Sequence, residues 1–502
     1  MSKIRVEINP ITNYVFHMLS VSGVGYNNDY GRKWRYTLPE SDISVLKKYA
    51  KKLTVKGGEH CGEWYGPLVC VPAQGEVLPE EYYAAVKDPG MAEVCQVLGR
   101  HYQEYLRTVY PETLQELEPY ATQLQQLLDE SGLPECAESM VGEDLSIFRV
   151  MLVNAVAGGA EAIDISENQD VFGNGRAPED KWLFIGHEYI IYLLKKALVG
   201  TAAFQTLDTW RVTEGLAEYY LTRLRGESGA FREIQDVVDF YQQQKPGLSA
   251  RELYLRAEAW ALLHTIAREY HHILGDNLTG VYAHGSMAFG CFDPKSSDMD
   301  FLAVVEREPT DEQKRSLLEI LLQLEAFAPA KGFEMSVVLA ADCAAPQHPI
   351  PFCLHYSNAH REACRENMAA YINLMKGSDP DLAAHFTVTR AVGKSVWGKP
   401  VAEVFGEVPR DAYLDSIRAD VADAVADVQE NPVYVILNLC RVLAAIRDGA
   451  VLSKAQGGAW GLEHLPGEHH GVIRAALEAY ESGSACDADG RAFASWALKE
   501  IG

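Results

Sequence analysis

The chain reads as a multidomain protein in three parts. A mostly helical α+β domain spans residues 1–245, an α/β domain 256–406 and an all-α helical domain 407–502. Three observations carry this reading. The 502 residues exceed what one hydrophobic core organises. The polar stretch QQQKPGLSARE (242–252), with Pro-Gly at its centre, separates a helix-rich first half from a segment ordered strand, loop, strand, helix, strand. From about Gly406 onward the apolar residues recur at helical spacing.

Each element follows from its pattern. KIRVEINP (3–10) alternates as a strand does. MAEVCQVLGRHYQEYLRTVY (91–110) and PETLQELEPYATQLQQLLDE (111–130) carry helical periodicity. DKWLFIGHEYIIYLLKKALVG (180–200) is a strongly apolar helix, and WRVTEGLAEYYLTRLRG (210–226) is another. After the linker comes the helix ELYLRAEAWALLHTIAREYHHIL (252–274). Three apolar runs then read as strands: LTGVYAHG (278–285), DFLAVVE (300–306) and FEMSVVLA (333–340). DEQKRSLLEILLQLEAFA (311–328) is the helix between the last two. The final domain contributes the helices YLDSIRADVADAVADVQ (413–429), PVYVILNLCRVLAAIRDG (432–449) and HGVIRAALEAYESG (470–483).

The bulk numbers exclude some function classes. There are 70 acidic against 45 basic residues, a formal net charge of -25. That opposes broad contact with nucleic acid or an anionic membrane, which needs basic surface. It leaves room for a small anionic ligand held by a few local cations and a metal. The N-terminus MSKIRVEINP has no apolar signal segment, and no apolar run is long enough to span a bilayer. The ten cysteines are scattered without a C-x-x-C pair, so reduced thiols in a cytoplasmic protein are expected.

The chemistry concentrates in VYAHGSMAFGCFDPKSSDMDFLAVVE (281–306). Residues i and i+2 of a strand share a face, so Asp298 and Asp300 project together, about 7 Å apart along the strand. Met299 points the other way, into the core. Carboxylates this close repel unless a cation lies between them. Mg²⁺ or Mn²⁺ takes oxygen ligands and keeps positions open for phosphates. The Gly285-Ser286 turn after the preceding strand can offer N–H groups and a hydroxyl to phosphate oxygens. Glu334, in GFEMSVV on the next strand, can come beside the aspartates. D-x-D alone is common and more often a solvated strand end. Gly-Ser at this offset, with apolar strands on both sides, points to metal-assisted phosphoryl or nucleotidyl transfer, with Glu334 taking a proton from an attacking hydroxyl.

HGSMAFGCFDPKSSDMDFLAVV resembles the G-S, D-x-D signature of the nucleotidyltransferase superfamily. From about Asn277 to the C-terminus the chain is similar to the aminoglycoside adenylyltransferases that modify spectinomycin and streptomycin. KGFEMSVV, LHYSNAH, DLAAHFTVTRAVGKSVWGKPVAEVFGEVP and NPVYVILNLCRVLAAIRDGAVLSKAQGGAWGLEHLP carry the likeness. The resemblance implies that Asp298 and Asp300 hold Mg²⁺ and that Glu334 is the catalytic base. It implies ATP as a substrate, contacted by Gly285, Ser286, Ser297, Arg441 and Lys454. Without the resemblance, a buried ion pair for Arg441 and a solvated loop position for Lys454 weigh about equally with the ATP contact. Asn358, Glu430 and Asn431 are the implied acceptor contacts. The partner is then a small hydroxylated molecule, an aminoglycoside, with neither nucleic acid nor membrane. Two positions depart from the pattern. Cys353 stands where relatives carry a glutamate, and Ala359 stands near the place of a tryptophan that helps some members hold streptomycin. The second departure tilts the expectation toward spectinomycin or another hydroxylated substrate.

The first half contains GHEYIIYLL and then TEGLAEYY. These resemble the gluzincin metallopeptidases, in which H-E-x-x-H and a later glutamate bind zinc. His187, Glu188 and Glu214 match three roles, but Ile191 occupies the place of the second histidine. Three readings stand open: a core histidine beside a glutamate by chance, a zincin-like fold that has lost its metal, and a working peptidase that recruits His60 or His101. The second is the expectation. It makes the first half a degenerate zincin-like module, for scaffolding, binding or regulation. Rivals for the whole chain are a nucleotidyltransferase with a metabolite or protein hydroxyl as acceptor, and a non-catalytic sensor built on the zincin-like half.

Overall fold

The computed structural model describes residues 3–25, 28–53, 64, 68, 86–156, 162–166, 168–226 and 232–502. They fall into two compact units. The first takes in Met1–Ala203 and Trp210–Tyr254, the second Phe204–Thr209 and Leu255–Gly502. The α/β and helical segments read from the sequence both lie in the second unit. Among the described residues no helix is long and apolar enough to cross a membrane.

In the first unit, β1 (Ile4–Glu7) leads into α1 (Pro10–Ser22). The Asn9 side chain starts this helix by accepting from the Ile11 and Thr12 N–H groups, and Pro10 supplies a helix-ready φ. Then follow α2 (Pro89–Thr108), α3 (Tyr110–Glu130), α4 (Leu133–Val141), β2 (Phe148–Val153), β3 (Ala162–Ser166) and β4 (Gln169–Gly173). The sheet order is β1-β2-β4-β3, parallel except for β3. The candidate His60 lies outside the described residues. His101 is engaged on α2, its Nε2 2.6 Å from Asp42.

Helices α5 (Pro178–Ala197) and α6 (Leu207–Arg225) carry the histidine–glutamate pattern, and α7 (Gln235–Gln242) follows. α5 is apolar on most of its circumference, and it is accordingly buried against α3 and α4. His187 is 1% exposed, with Nε2 2.7 Å from Glu214 and Nδ1 3.4 Å from Glu218, both on α6. Burial alone would lower the His187 pKa. The hydrogen bonds to Glu214 and Glu218 outweigh it, Glu188 adds to their field, and the imidazole is held up at about 10. Both ring nitrogens therefore face carboxylates, and the imidazolium ties α5 to α6.

The second unit begins with α8 (Ala250–Leu274), from Leu255 onward. β5 (Leu278–Ala283) and the short helical turn α9 (Gly285–Ala288) lead to β6 (Met299–Val305). α10 (Asp311–Leu324) connects β6 to β7 (Phe333–Leu339). A reciprocal Thr310–Gln313 cap starts α10, and Leu317, Leu318 and Leu321 bury its inner face. β8 (Ile350–Phe352), β9 (Leu354–Ser357), β10 (Gly377–Asp379), α11 (Leu382–Val392) and β11 (Lys394–Gly398) complete the α/β part. The main sheet runs β11-β5-β6-β7-β9, while β8 and β10 form a small separate ribbon. β6 and β7 are parallel, and their register sets Asp300 opposite Glu334. The other neighbours in the main sheet are antiparallel.

The helical part comprises α12 (Arg410–Asp420), α13 (Pro432–Asp448), α14 (Lys454–His464), α15 (His470–Ser482) and α16 (Arg491–Ile501). α13 is its axis, with α14, α15 and α16 packed around it. The single helix expected over 413–429 does not form. α12 ends at Asp420 and a one-turn helix follows at Ala424–Asp427. The break lets Val421, Ala424 and Val428 enter the core, and Asp420 accepts hydrogen bonds from Tyr434 and Asn438 on α13. Burial and these bonds outweigh the helical pattern.

The His187 brace predicts a pH dependence. A raised folded pKa contributes stability that is complete below the ordinary value near 6.5 and is lost as pH rises through about 10. Hydrogen exchange of α5 and α6 should therefore accelerate across that window. His187→Ala should destabilise the unit by about 3–5 kcal/mol at neutral pH and remove this dependence.

Candidate active site

Strand order and register bring the carboxylates together at the end of the second unit's sheet. β6 starts at Met299, which is fully buried, and Asp298 stands immediately before it. Oxygens of Asp298, Asp300 and Glu334 lie within 4.8 Å of one another. Among the described residues they are the one group of three or more acidic, histidine or cysteine side chains close enough to hold a metal ion. Burial, with Asp298 and Glu334 alongside, pushes the Asp300 carboxyl up to about 8. Burial also raises Glu334, against the pull of His385 nearby.

The chain folds tightly around this group. The His284 N–H donates to the Asp300 carbonyl at 3.0 Å, turning the backbone directly after β5. Gly285 follows with φ +56°, in the left-handed region. A Cβ there would sit 1.9 Å from Asp300 Oδ2, so the turn rests against the carboxylate only because residue 285 has no side chain. The buried Ser286 hydroxyl lines the adjoining cavity and finds no hydrogen-bond partner among the described residues. Ser297 accepts from the Asp293 N–H at 3.1 Å and closes the loop before Asp298.

The cavity holds about 300 Å³. Its opposite wall comes from the helical part. Arg441 on α13 donates from Nε to the Leu452 carbonyl at 2.8 Å and from Nη1 to Asn438 at 3.1 Å. Lys454 opens α14, with its ammonium 4.8 Å from the Tyr434 ring centroid. Burial and the neighbouring Arg441 and Lys331 lower its pKa, while Asp298 and Asp300 favour its charge. Gly457 lets α14 approach this wall, since a Cβ there would lie 2.5 Å from Arg441 Cγ. Cations therefore face carboxylates across the space, the arrangement an anionic triphosphate with a divalent ion requires.

Gly285, Ser286, Ser297, Asp298, Asp300, Glu334, Arg441 and Lys454 all line this cavity. Asn358, Glu430 and Asn431 do not. Asn358 opens a 3₁₀ turn against Gly332, and Glu430 and Asn431 are exposed before α13. Cys353 is buried, donating its N–H to the Val337 carbonyl, and also lies off the lining. His187, Glu188 and Glu214 belong to the first unit and form no such metal group.

Several lining residues escaped the sequence reading: His284, Asp381, His385, Asp420 and Tyr434. His385 Nε2 lies 3.2 Å from Asp381 and 3.8 Å from Glu334. Burial lowers its pKa, but Asp381, Glu334 and Asp300 outweigh that and hold it at about 10. Burial and His385 push His284 well down, leaving it neutral. The available signal was Asp381 and His385 four residues apart on one helix face.

Paired carboxylates for a cation, a glutamate in register with them and two cationic side chains opposite are the equipment of nucleotidyl transfer, and the chain is a nucleotidyltransferase. Residues 403–498 match the family model described as aminoglycoside adenylyltransferase, C-terminal domain. A spectinomycin 9-adenylyltransferase of Enterococcus faecalis is 23% identical over 235 residues, covering 46% of this chain and 89% of that protein. An aminoglycoside (3'') (9) adenylyltransferase of Klebsiella pneumoniae is 25% identical over 214 residues, covering 41% and 79%. A crystal structure of an Enterococcus spectinomycin adenyltransferase with ATP and spectinomycin covers 47% of this chain and 95% of its own, with 21% identity and a TM-score of 0.41. The C-terminal half is thus a relative of the aminoglycoside adenylyltransferases.

Two glycines test the geometry. Gly285→Ala should displace Asp300, and Gly457→Ala should displace Arg441. Each should weaken nucleotide binding at least about tenfold, ~1.4 kcal/mol, by titration calorimetry, with the circular dichroism spectrum retained.

Proposed function

We propose that the second unit transfers AMP from ATP to a hydroxyl of an aminoglycoside-type antibiotic, spectinomycin or streptomycin. The observation that carries this reading is the parallel register of Asp300 with Glu334, which keeps a third carboxylate beside the D-x-D pair. The names of the relatives supply the acceptor class.

The donor set suits a hard divalent cation: three carboxylates, all oxygen, with the Asp300 carboxyl raised by burial and by its two acidic neighbours. Asp298 and Asp300 would hold Mg²⁺, which when bound neutralises charge on the triphosphate and on departing pyrophosphate. The Gly285-Ser286 turn offers the unpartnered Ser286 hydroxyl to phosphate oxygens. Arg441 and Lys454 offset the remaining phosphate charge in an otherwise acidic protein. Glu334, its carboxyl raised toward neutrality by burial, accepts the proton of the acceptor hydroxyl. The new bond joins that oxygen to the α-phosphorus, and the bond to the pyrophosphate oxygen breaks.

For the first unit we read a zincin-like module without a metal. What supports this is His187, whose two ring nitrogens already face Glu214 and Glu218 of the protein itself. No part of the transfer chemistry proposed here uses that unit.

Purified protein given ATP, Mg²⁺ and either drug should release pyrophosphate. Release with neither drug, while ATP still binds, would sink the antibiotic assignment. Glu334→Gln should lose about 10²–10⁴ in turnover with ATP affinity kept. Asp300→Asn should lose turnover together with Mg²⁺-dependent ATP affinity.

A further inference from the structure

A general base must be held still, and the fold fixes only the backbone of Glu334. Its side chain reaches the cavity 31% exposed, beside two carboxylates that repel it. Its one ion-pair partner among the described residues is His385, on α11, with Nε2 3.8 Å from Oε1. His385 is itself fixed from two sides. The same Nε2 lies 3.2 Å from Asp381 Oδ2, one helical turn earlier, and Asp381 accepts from the Ser416 hydroxyl at 3.3 Å. The imidazole packs on the His284 ring at 4.7 Å between centroids. His284 is the residue before the phosphate turn, and its N–H is bound to the Asp300 carbonyl. The His385 side chain therefore connects the turn, the glutamate and α12 at one point.

We propose that His385 is a positioning residue that holds the Glu334 carboxylate in register with Asp298 and Asp300 against their repulsion. The proposal rests on the reading of Glu334 as the base. It assigns His385 no contact with the reacting atoms. Without the imidazole, Glu334 keeps its two repelling neighbours and loses its partner, so its side chain turns away. A displacement of ~1 Å at a reacting group can cost about a hundredfold in rate.

Two variants separate positioning from packing. His385→Leu fills similar space without a donor, and His385→Gln restores an N–H donor near the Nε2 position. The Leu variant should lose about a hundredfold in kcat, with the ATP KM and calorimetric ATP affinity within a factor of about three. The Gln variant should recover most of that loss. Crystal structures should show the Glu334 carboxylate turned from Asp298 and Asp300 in the Leu variant and returned in the Gln variant. Unchanged kcat in the Leu variant, a loss expressed in ATP affinity instead, or a Gln variant no better than Leu would overturn the proposal. If the wild-type protein releases pyrophosphate with neither drug, the proposed reaction fails on its own. The two crystal structures then decide: Glu334 unmoved in both rejects the role of His385, and the displaced and restored pair supports it.

Discussion

The second unit is organised by an electrostatic conflict. Strand β6 and its parallel neighbour β7 hold three carboxylates within 4.8 Å, and the backbone register leaves them nowhere to retreat. Burial makes the conflict sharper, because charge is poorly screened there. The surroundings answer it in several ways. Asp300 is pushed toward the protonated form. His385 brings a partly buried positive charge to the side of Glu334. Lys454 and Arg441 face the group across the cavity. A turn at Gly285 rests against Asp300 without a side chain.

The first unit uses the same residue types to the opposite end. His187 also gathers two glutamates, but on both sides of its ring and inside a helix pair. The imidazole there is enclosed between side chains of the protein, so the arrangement stabilises rather than binds. At the second unit's carboxylate group the acids and the cations opposite them border an open cavity of about 300 Å³. The difference between a brace and a site lies in open space beside the charges, not in composition.

Much of the fold was legible because its signals are local. Apolar runs bounded by glycine and acidic residues read as β5, β6 and β7, and apolar spacing read as α8, α10 and α13. The expected helix over 413–429 misled because its pattern is helical, whereas burial of Val421 and Val428 bends the chain at Asp420. β9 and β11 passed unseen as short pieces without a distinct alternation. In the site, Gly285, Ser286, Asp298 and Asp300 share one motif and were found together. Glu334 was suggested by strand order alone. Asp381 and Asp420 are ordinary acids in ordinary helices until the fold turns them toward the cavity. Asn358, Glu430 and Asn431, acceptor contacts by resemblance alone, stand outside the cavity that the carboxylates line.

By itself the sequence determined the class of chemistry. Two aspartates at strand spacing behind a Gly-Ser turn can share a cation whatever surrounds them, since spacing along a strand is set by covalent geometry. Through periodicity and a Pro-Gly linker it also suggested a helix-rich first half and an α/β then helical second half. Only the tertiary structure decided which distant residues join the motif. Glu334 enters through the parallel register, Arg441 and Lys454 through the approach of α14 permitted at Gly457, and His385 through the packing of its ring on His284 before the Gly285 turn. These depend on side chains far apart in the chain meeting in one buried volume, and no local pattern encodes that meeting.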